Sequence, residues 1–456
     1  MNKQLQVKEK LSYGVGDFSI NMVLQTLSFT YLFYLTDVFG LNPALAGLIM
    51  LVSKIWDAVT DPFMGSLIDN TRSRWGKKRP YLLFGAFPMG LSFFLLFYNP
   101  GLPVELKFLW ALFTYMFFCT ALTFVNIPYA SLTVSMTDDP AERSTLTSWR
   151  MGFALTGTLF ASVASPLLTN QAFGGGEDGH KWMGLVLGIV CVLVMWITFA
   201  GTKEKAARTE GKVQLLKNIG AVFVNTPFLV LSAGCLLIFI ALNTLAAVVK
   251  YYFVYNLKMP GQEAIGLGVI FVSAIFYLPF LNLLSNRLGK KQVFIGALLI
   301  FIVGVIGIFF FGDSLPVLIG LFLIIGIGIS AVFLMPWSLL ADTVEYSQWR
   351  TGIRPEGAIY GYFFFILKGA AAIAGLLVGS LLSLAGYQES TASEILIQPE
   401  SAIQMIRIML SLIPAGLIAM GMLILTRYSL TDKRHSEIVR DIEKGIDYRA
   451  SNYQQI

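Results

Sequence analysis

Seven charged side chains stand inside long apolar stretches of this sequence: Asp17, Lys54, Asp57, Asp61, Arg150, Lys250 and Lys368. A charge at the centre of a bilayer costs about 2.5–3.5 kcal/mol on insertion scales, so it marks a pathway or a paired partner. The densest group is KIWDAVTDPFMG, where Asp57 and Asp61 are four apart and Lys54 lies three before Asp57. On a helix all three share one face. Two carboxylates that close repel unless a cation joins them, which suits either Na⁺ held by oxygen ligands or a proton. Thr60 and, from a later helix, Thr123 can add hydroxyl oxygens. The competing reading, a Lys54–Asp57 pair that pins helix packing, leaves Asp61 unaccounted for.

Asp17, Arg150 and Lys368 point to a second kind of chemistry. A carboxylate accepts from two hydroxyls and a guanidinium offers a planar fork of donors, which suits a ligand with many hydroxyl groups held over an apolar or aromatic face. The alternative for these three is ion pairing between helices. Lys250 either lines the same cavity or snorkels to the interface, where Tyr251 and Tyr252 would form part of an aromatic belt. Trp337, after Met335 and Pro336, sits where unwinding can open a polar cavity; packing against lipid is the other reading. His180 and His435 fall in segments expected to be exposed, and Cys119, Cys191 and Cys235 lie in apolar runs without metal-ligand spacing. With no P-loop and no His cluster, the sequence offers little to an enzyme.

The elements that must position these residues are membrane helices. Of the 456 residues, 56% are hydrophobic and 13% charged, against about 25% charged in soluble domains. Runs such as MGLVLGIVCVLVMWITFA exceed the ~18 residues that span a bilayer, and they lack the alternation of a barrel strand. The spacing of apolar runs predicts twelve helices, at 11–39, 42–68, 80–98, 106–136, 145–170, 182–201, 226–256, 263–285, 292–312, 316–340, 357–386 and 400–427. Placing both termini and the even-numbered loops on the cytoplasmic side collects 25 of the 33 Lys and Arg residues there. The net charge of +6 is thereby a matter of topology and not a nucleic-acid surface. A basic linker over 202–225 divides a six-helix half at 1–201 from another at 226–427, followed by a cytoplasmic tail at 428–456. LIDNTRSRWGKKRP in the first half is echoed by LLSNRLGKKQ at the corresponding place in the second. Paired repeats put a substrate site between halves near the midplane; two unrelated positive-inside loops are the other explanation.

The motifs YGVGDF, KIWDAVTDPFMGSLIDNTRSRWGKKRP, NIPYASL and ADTVEYSQWRTGIRPEGAIYG resemble those of the glycoside/pentoside/hexuronide:cation symporter family, within the major facilitator fold. The resemblance spans nearly the whole chain. It implies an all-α polytopic protein of the inner membrane, working as a monomer, that imports a sugar, glycoside or sugar acid with Na⁺ or H⁺ and needs no other cofactor. It also implies a cation site at Asp57 and Asp61 with Thr60 and Thr123, and a sugar site at Asp17, Arg150 and Lys368. Asn126 and Ala130 stand where galactoside carriers of the family have an Asp and an aromatic residue, so galactoside specificity does not carry over. A sensor or intramembrane enzyme using the same cavity is the alternative. The segment from Asp342 to Glu356, with Glu345, Arg350 and Arg354, is expected to form an inner gate by pairing with the basic loops after the second and eighth helices.

Overall fold

The computed structural model describes residues 5–137, 140–170, 174–204, 220, 222–352, 354–390 and 396–444. Of the expected linker, 205–219 and 221 lie outside the described residues, as do 445–456 of the tail. Among the described residues the fold is all-α, with twelve helices long and apolar enough to cross a membrane. They run α1 (Val7–Asp37), α2 (Pro43–Asn70), α3 (Arg79–Leu96), α4 (Val104–Met136), α5 (Pro140–Leu168), α6 (Gly176–Gly201), α7 (Thr226–Tyr251, prolonged by a π-helical turn at Tyr252–Asn256), α8 (Glu263–Leu288), α9 (Lys290–Phe311), α10 (Leu315–Thr351) and α11 (Glu356–Leu384). The last span is broken at Ser411 into α12 (Glu400–Leu410) and α13 (Leu412–Thr426), and a short amphipathic α14 (Asp432–Glu443) follows.

Helix ends differ from the apolar pattern where polar residues continue a helix beyond the apolar run. α6 starts at Gly176, six residues before the predicted 182, so His180 lies inside it and is buried against Tyr34 and Phe97. The expectation of an exposed His180 is thereby corrected. α10 runs to Thr351, eleven residues past the predicted end at 340, and therefore carries Asp342, Glu345 and Arg350 on a helix, not in a loop. Gly352, with φ +71°, ends it in the left-handed conformation that suits glycine. α10 also continues unbroken through Pro336, so the unwinding considered at Trp337 does not occur.

The chain packs as two compact units. The first comprises 1–209, 246–268 and 372–407; the second comprises 210–245, 269–371 and 408–456. In the first, α3 and α6 meet through bare glycines: a Cβ on Gly90 would lie 2.6 Å from the Gly188 carbonyl oxygen. Small residues of this kind let membrane helices approach without a hydrophobic driving force. α1 meets the rest of its unit in the same way, with a Cβ on Gly16 falling 2.5 Å from the Tyr129 ring.

Each GKK motif builds the same device within its own unit. Gly76 turns the chain at φ +103°, and the Glu204 carboxylate, just beyond α6, accepts from the backbone N–H of Lys77 (2.9 Å), Lys78 (2.8 Å) and Arg79 (2.8 Å). Gly289 turns at φ +92°, and the Asp432 carboxylate, just beyond α13, accepts from Lys290 N–H at 3.1 Å. In both cases an acidic residue satisfies the free donors at the start of a helix.

Candidate functional site

α2 and α4 are tied together at the charged face of α2. Asp57 is 1% exposed, and the Thr123 hydroxyl of α4 lies 2.8 Å from its Oδ1 and 3.2 Å from Asp61 Oδ1. One hydroxyl has one proton, so Thr123 serves the two carboxylates in turn and bridges them. The Lys54 ammonium stands 3.8 Å from Asp57 Oδ2 and 5.8 Å from the centre of the Tyr115 ring. Trp56 Nε1 donates to Thr120 Oγ1 at 2.9 Å, which fixes α2 on α4 one turn from the carboxylates. Thr60 behaves differently from Thr123: its hydroxyl donates back to the Asp57 carbonyl at 3.0 Å and does not bridge the pair. Ser53, one turn before Asp57, has a buried hydroxyl without a hydrogen-bond partner and is a further oxygen that charge patterning did not single out.

Asp57, Asp61 and Thr123, with Ser53 adjacent, form an all-oxygen donor set of the type that suits a hard monovalent ion or a proton. Among the described residues no group of three or more His, Cys, Asp or Glu side chains is placed to hold a metal ion. The oxygens available thus fit a small cation better than a soft transition metal.

Asp17 and Arg150 are brought together. Arg150 Nε donates to Asp17 Oδ2 at 2.5 Å, with side chains 16% and 7% exposed. The guanidinium lies 5.0 Å from the Tyr129 ring centre and 5.7 Å from that of Tyr13. The two tyrosines lock α1 to α4 reciprocally: Tyr13 OH donates to the Tyr129 carbonyl at 3.0 Å, and Tyr129 OH to the Tyr13 carbonyl at 2.7 Å. Tyr129 OH also lies 3.3 Å from Asp17 Oδ2. On α4, Asn126 is half-buried and Ala130 exposed. Lys368 and Trp337 belong to the second unit; Lys368 is half-buried, and Trp337 packs against Phe363 and Phe364 with ring centres 5.4 Å away.

The expected gate residues also lie in the second unit. Lys290 Nζ reaches both Asp342 oxygens at 2.7 Å, and Asp342 is buried. His435 of α14, expected to be exposed, is partly buried and hydrogen-bonds Glu345, with Asp342 Oδ1 at 3.7 Å. Arg350 donates to Tyr346 OH at 3.1 Å, and Arg354 pairs with Glu356 at 3.5 Å on the surface. α14 therefore docks onto α10 through charge, which the amphipathic pattern alone did not disclose.

A further polar cluster was not foreseen. Asp37, at the end of α1, accepts from Tyr255 OH, from Tyr387 OH at 2.6 Å and from its neighbour Thr36 at 2.5 Å. Tyr251 OH lies 2.7 Å from Thr36 Oγ1. Lys250 is 6% exposed, lies 3.3 Å from His180 Nε2 and 3.4 Å from Thr169 Oγ1, and covers the Phe33 ring at 4.7 Å. It does not snorkel, and Tyr251 and Tyr252 are fully buried instead of forming an interfacial belt. The spacing of Tyr251 and Tyr255 was the legible signal: Tyr255, in the π-helical turn at Tyr252–Asn256, reaches the Asp37 carboxylate, and Tyr251 reaches the neighbouring Thr36 hydroxyl.

A family model described as MFS/sugar transport protein matches residues 12–432. A glucuronide carrier protein homolog of Escherichia coli (strain K12) is 32% identical over 97% of each chain, and a putative 2,3-dihydroxypropane-1-sulfonate exporter of the same organism is 32% identical over 96% of each. The crystal structure of a bacterial homolog of the human lysosomal transporter Spinster, in an inward-facing occupied conformation, superposes with a TM-score of 0.69 at 14% identity, covering 94% of this chain and 97% of that one. Twelve candidate spans among the described residues, the family match and this fold define a secondary transporter of the major facilitator type, and the relatives named as carriers support a transport role and not an enzyme. The chain belongs to the glycoside/pentoside/hexuronide:cation symporter family.

Proposed function

We propose that the chain carries a sugar, glycoside or sugar acid across the cytoplasmic membrane by symport with Na⁺ or H⁺, as a monomer with both termini in the cytoplasm. The observation that carries this reading is the Thr123 hydroxyl shared between buried Asp57 and half-buried Asp61 beside Lys54. Such a group has two states: with a cation or proton the carboxylates come together on α4, and without one they repel. Asp17 and Arg150 form the sugar-facing group of the first six-helix half, with Asn126 nearby, and Lys368 and Trp337 supply that of the second. The repeated Gly-Lys-Lys and carboxylate device supports two equivalent halves, 1–201 and 226–427, that rock about the site. The Lys290–Asp342 pair and the His435–Glu345 contact form part of the inner gate, with Arg350 and Arg354 at its edge. A carrier of this kind runs in the direction its gradients set, so a relative named as an exporter is compatible with import here.

The test is counterflow in proteoliposomes with labelled methyl β-xyloside, methyl β-glucoside and methyl β-glucuronide, each with and without an imposed Na⁺ or pH gradient. Exchange without added energy, together with accumulation driven by one of the two gradients, is the expected result. Binding without exchange would favour a sensor and overturn the reading.

A further inference from the structure

α5 presents an aromatic surface one residue from the Arg150–Asp17 pair. Trp149, the residue before Arg150, is 37% exposed and stacks on Phe153 with ring centres 6.3 Å apart at 28°. Together with Thr145, Ser148, Gly152 and Thr156 the two rings line an open cleft of about 470 Å³ along one face of α5. A Cβ on Gly152 would meet nothing within 4 Å, so the floor of the cleft beside the indole is open.

The direction of this face follows from helix geometry. Thr145 and Val163 are eighteen residues, or about five turns, apart and point the same way; Trp149, Gly152 and Thr156 fall within roughly 40° of that line. At its far end the face is covered by protein: a Cβ on Gly268 would touch Val163 at 3.5 Å, and one on Gly261 would lie 3.1 Å from Asn170 Nδ2. Lipid does not cover that end, and hydroxyls alternate with rings along the open one. Arg150 leaves the opposite flank of the same turn toward Asp17.

We propose that Trp149 is the platform on which the pyranose ring of the substrate stacks, with the hydroxyl-bearing turns of α5 beside it. Apolar C–H faces of a sugar suit an aromatic surface, while its hydroxyls need fixed polar partners at the edge of that surface. Phe153 holds the indole in one orientation, and Gly152 leaves the room that the ring requires. This inference rests on the transport function proposed above and names the residue that sets its specificity.

The test uses the full-length protein in nanodiscs with methyl β-xyloside, methyl β-glucoside and methyl β-glucuronide as probes. Trp149→Ala is expected to weaken binding of the glycoside that wild type binds by about tenfold, or 1.4 kcal/mol, whereas Trp149→Phe keeps most of the affinity. Gly152→Val, whose Cβ meets no neighbour within 4 Å, is expected to block the cleft at unchanged stability without ligand. Unchanged affinity in Trp149→Ala would overturn the platform alone. So would quenching by brominated lipid of the emission component that Trp149→Phe removes, since that places the indole in lipid. Failure of wild type to bind any of the probes would overturn the transport reading and this inference together.

Discussion

Replacing Arg150 by Ala should do more than remove a sugar contact. The Asp17 side chain is 7% exposed, and its remaining partner is Tyr129 OH at 3.3 Å. Breaking a buried pair from one side leaves an uncompensated charge and costs about 3–5 kcal/mol. With an unfolding entropy of about 2.1 cal/mol/K per residue, spread over 456 residues, the midpoint of thermal unfolding falls by roughly 3–5 °C. The double variant Asp17→Ala/Arg150→Ala removes both charges and leaves the Tyr13–Tyr129 lock intact, so most of that loss returns. Transport should be absent in both. The assay is thermal unfolding of purified single and double variants in detergent, with counterflow alongside. An Arg150→Ala protein as stable as wild type, or a double variant no more stable than the single one, would refute the reasoning.

Asp57→Cys and Asp61→Cys should each abolish accumulation driven by the ion gradient while sparing part of the energy-independent exchange; wild-type accumulation in both would remove the cation site. In the unmodified protein the ion should raise sugar affinity by about 5- to 150-fold, and sugar should raise ion affinity by the same factor, which paired titrations check. Asp37→Asn and Tyr387→Phe weaken the hydroxyl cluster by about 1.5–3 kcal/mol for each charged hydrogen bond lost, and should raise the labelling rate, by a membrane-impermeant reagent, of a cysteine placed at Met50 of α2, which lies against Gly375 of α11; an unchanged rate would count against the cluster holding these segments together. Arg354→Ala, which removes only a surface pair with Glu356, should change the transport rate more than stability, measured by initial uptake and by unfolding of the same preparation.

Much of the fold was legible because its driving force is additive along the chain. Twelve apolar runs gave twelve spans, and the charges at Asp57, Asp61, Asp17 and Arg150 stood out because lipid makes each of them expensive. The ends were less legible, since a helix does not stop where its apolar run stops: α10 continues for three turns through ADTVEYSQWRT because backbone hydrogen bonds and the Lys290–Asp342 pair support it. The roles of the two threonines on α2 and α4 were not separable from sequence. Thr60 and Thr123 offer the same hydroxyl, and only the packing of α4 on α2 shows that Thr123 faces the carboxylates while Thr60 turns to its own backbone. Asp37 escaped notice because it ends an apolar run, where a carboxylate ordinarily meets water; three hydroxyls, two of them from distant segments, replace that water instead.

The way this cluster is made bears on how often it can be unmade. Around Asp37 the segments meet through hydroxyl-to-carboxylate bonds, and close by α2 meets α11 through bare backbone, a Cβ on Gly47 falling 2.8 Å from the Gly375 carbonyl oxygen. Prising apart interlocked leucines would expose apolar surface at about 1.5–3 kcal/mol for each side chain. Phenol, carboxylate and peptide carbonyl lose far less, because water accepts and donates in their place. A seam sealed by groups that water can replace parts and heals at low net cost, within the few kcal/mol by which a bound solute tips an equilibrium between two shapes. Durability in such a carrier lies in the ease of the exchange, not in the strength of the closed joint.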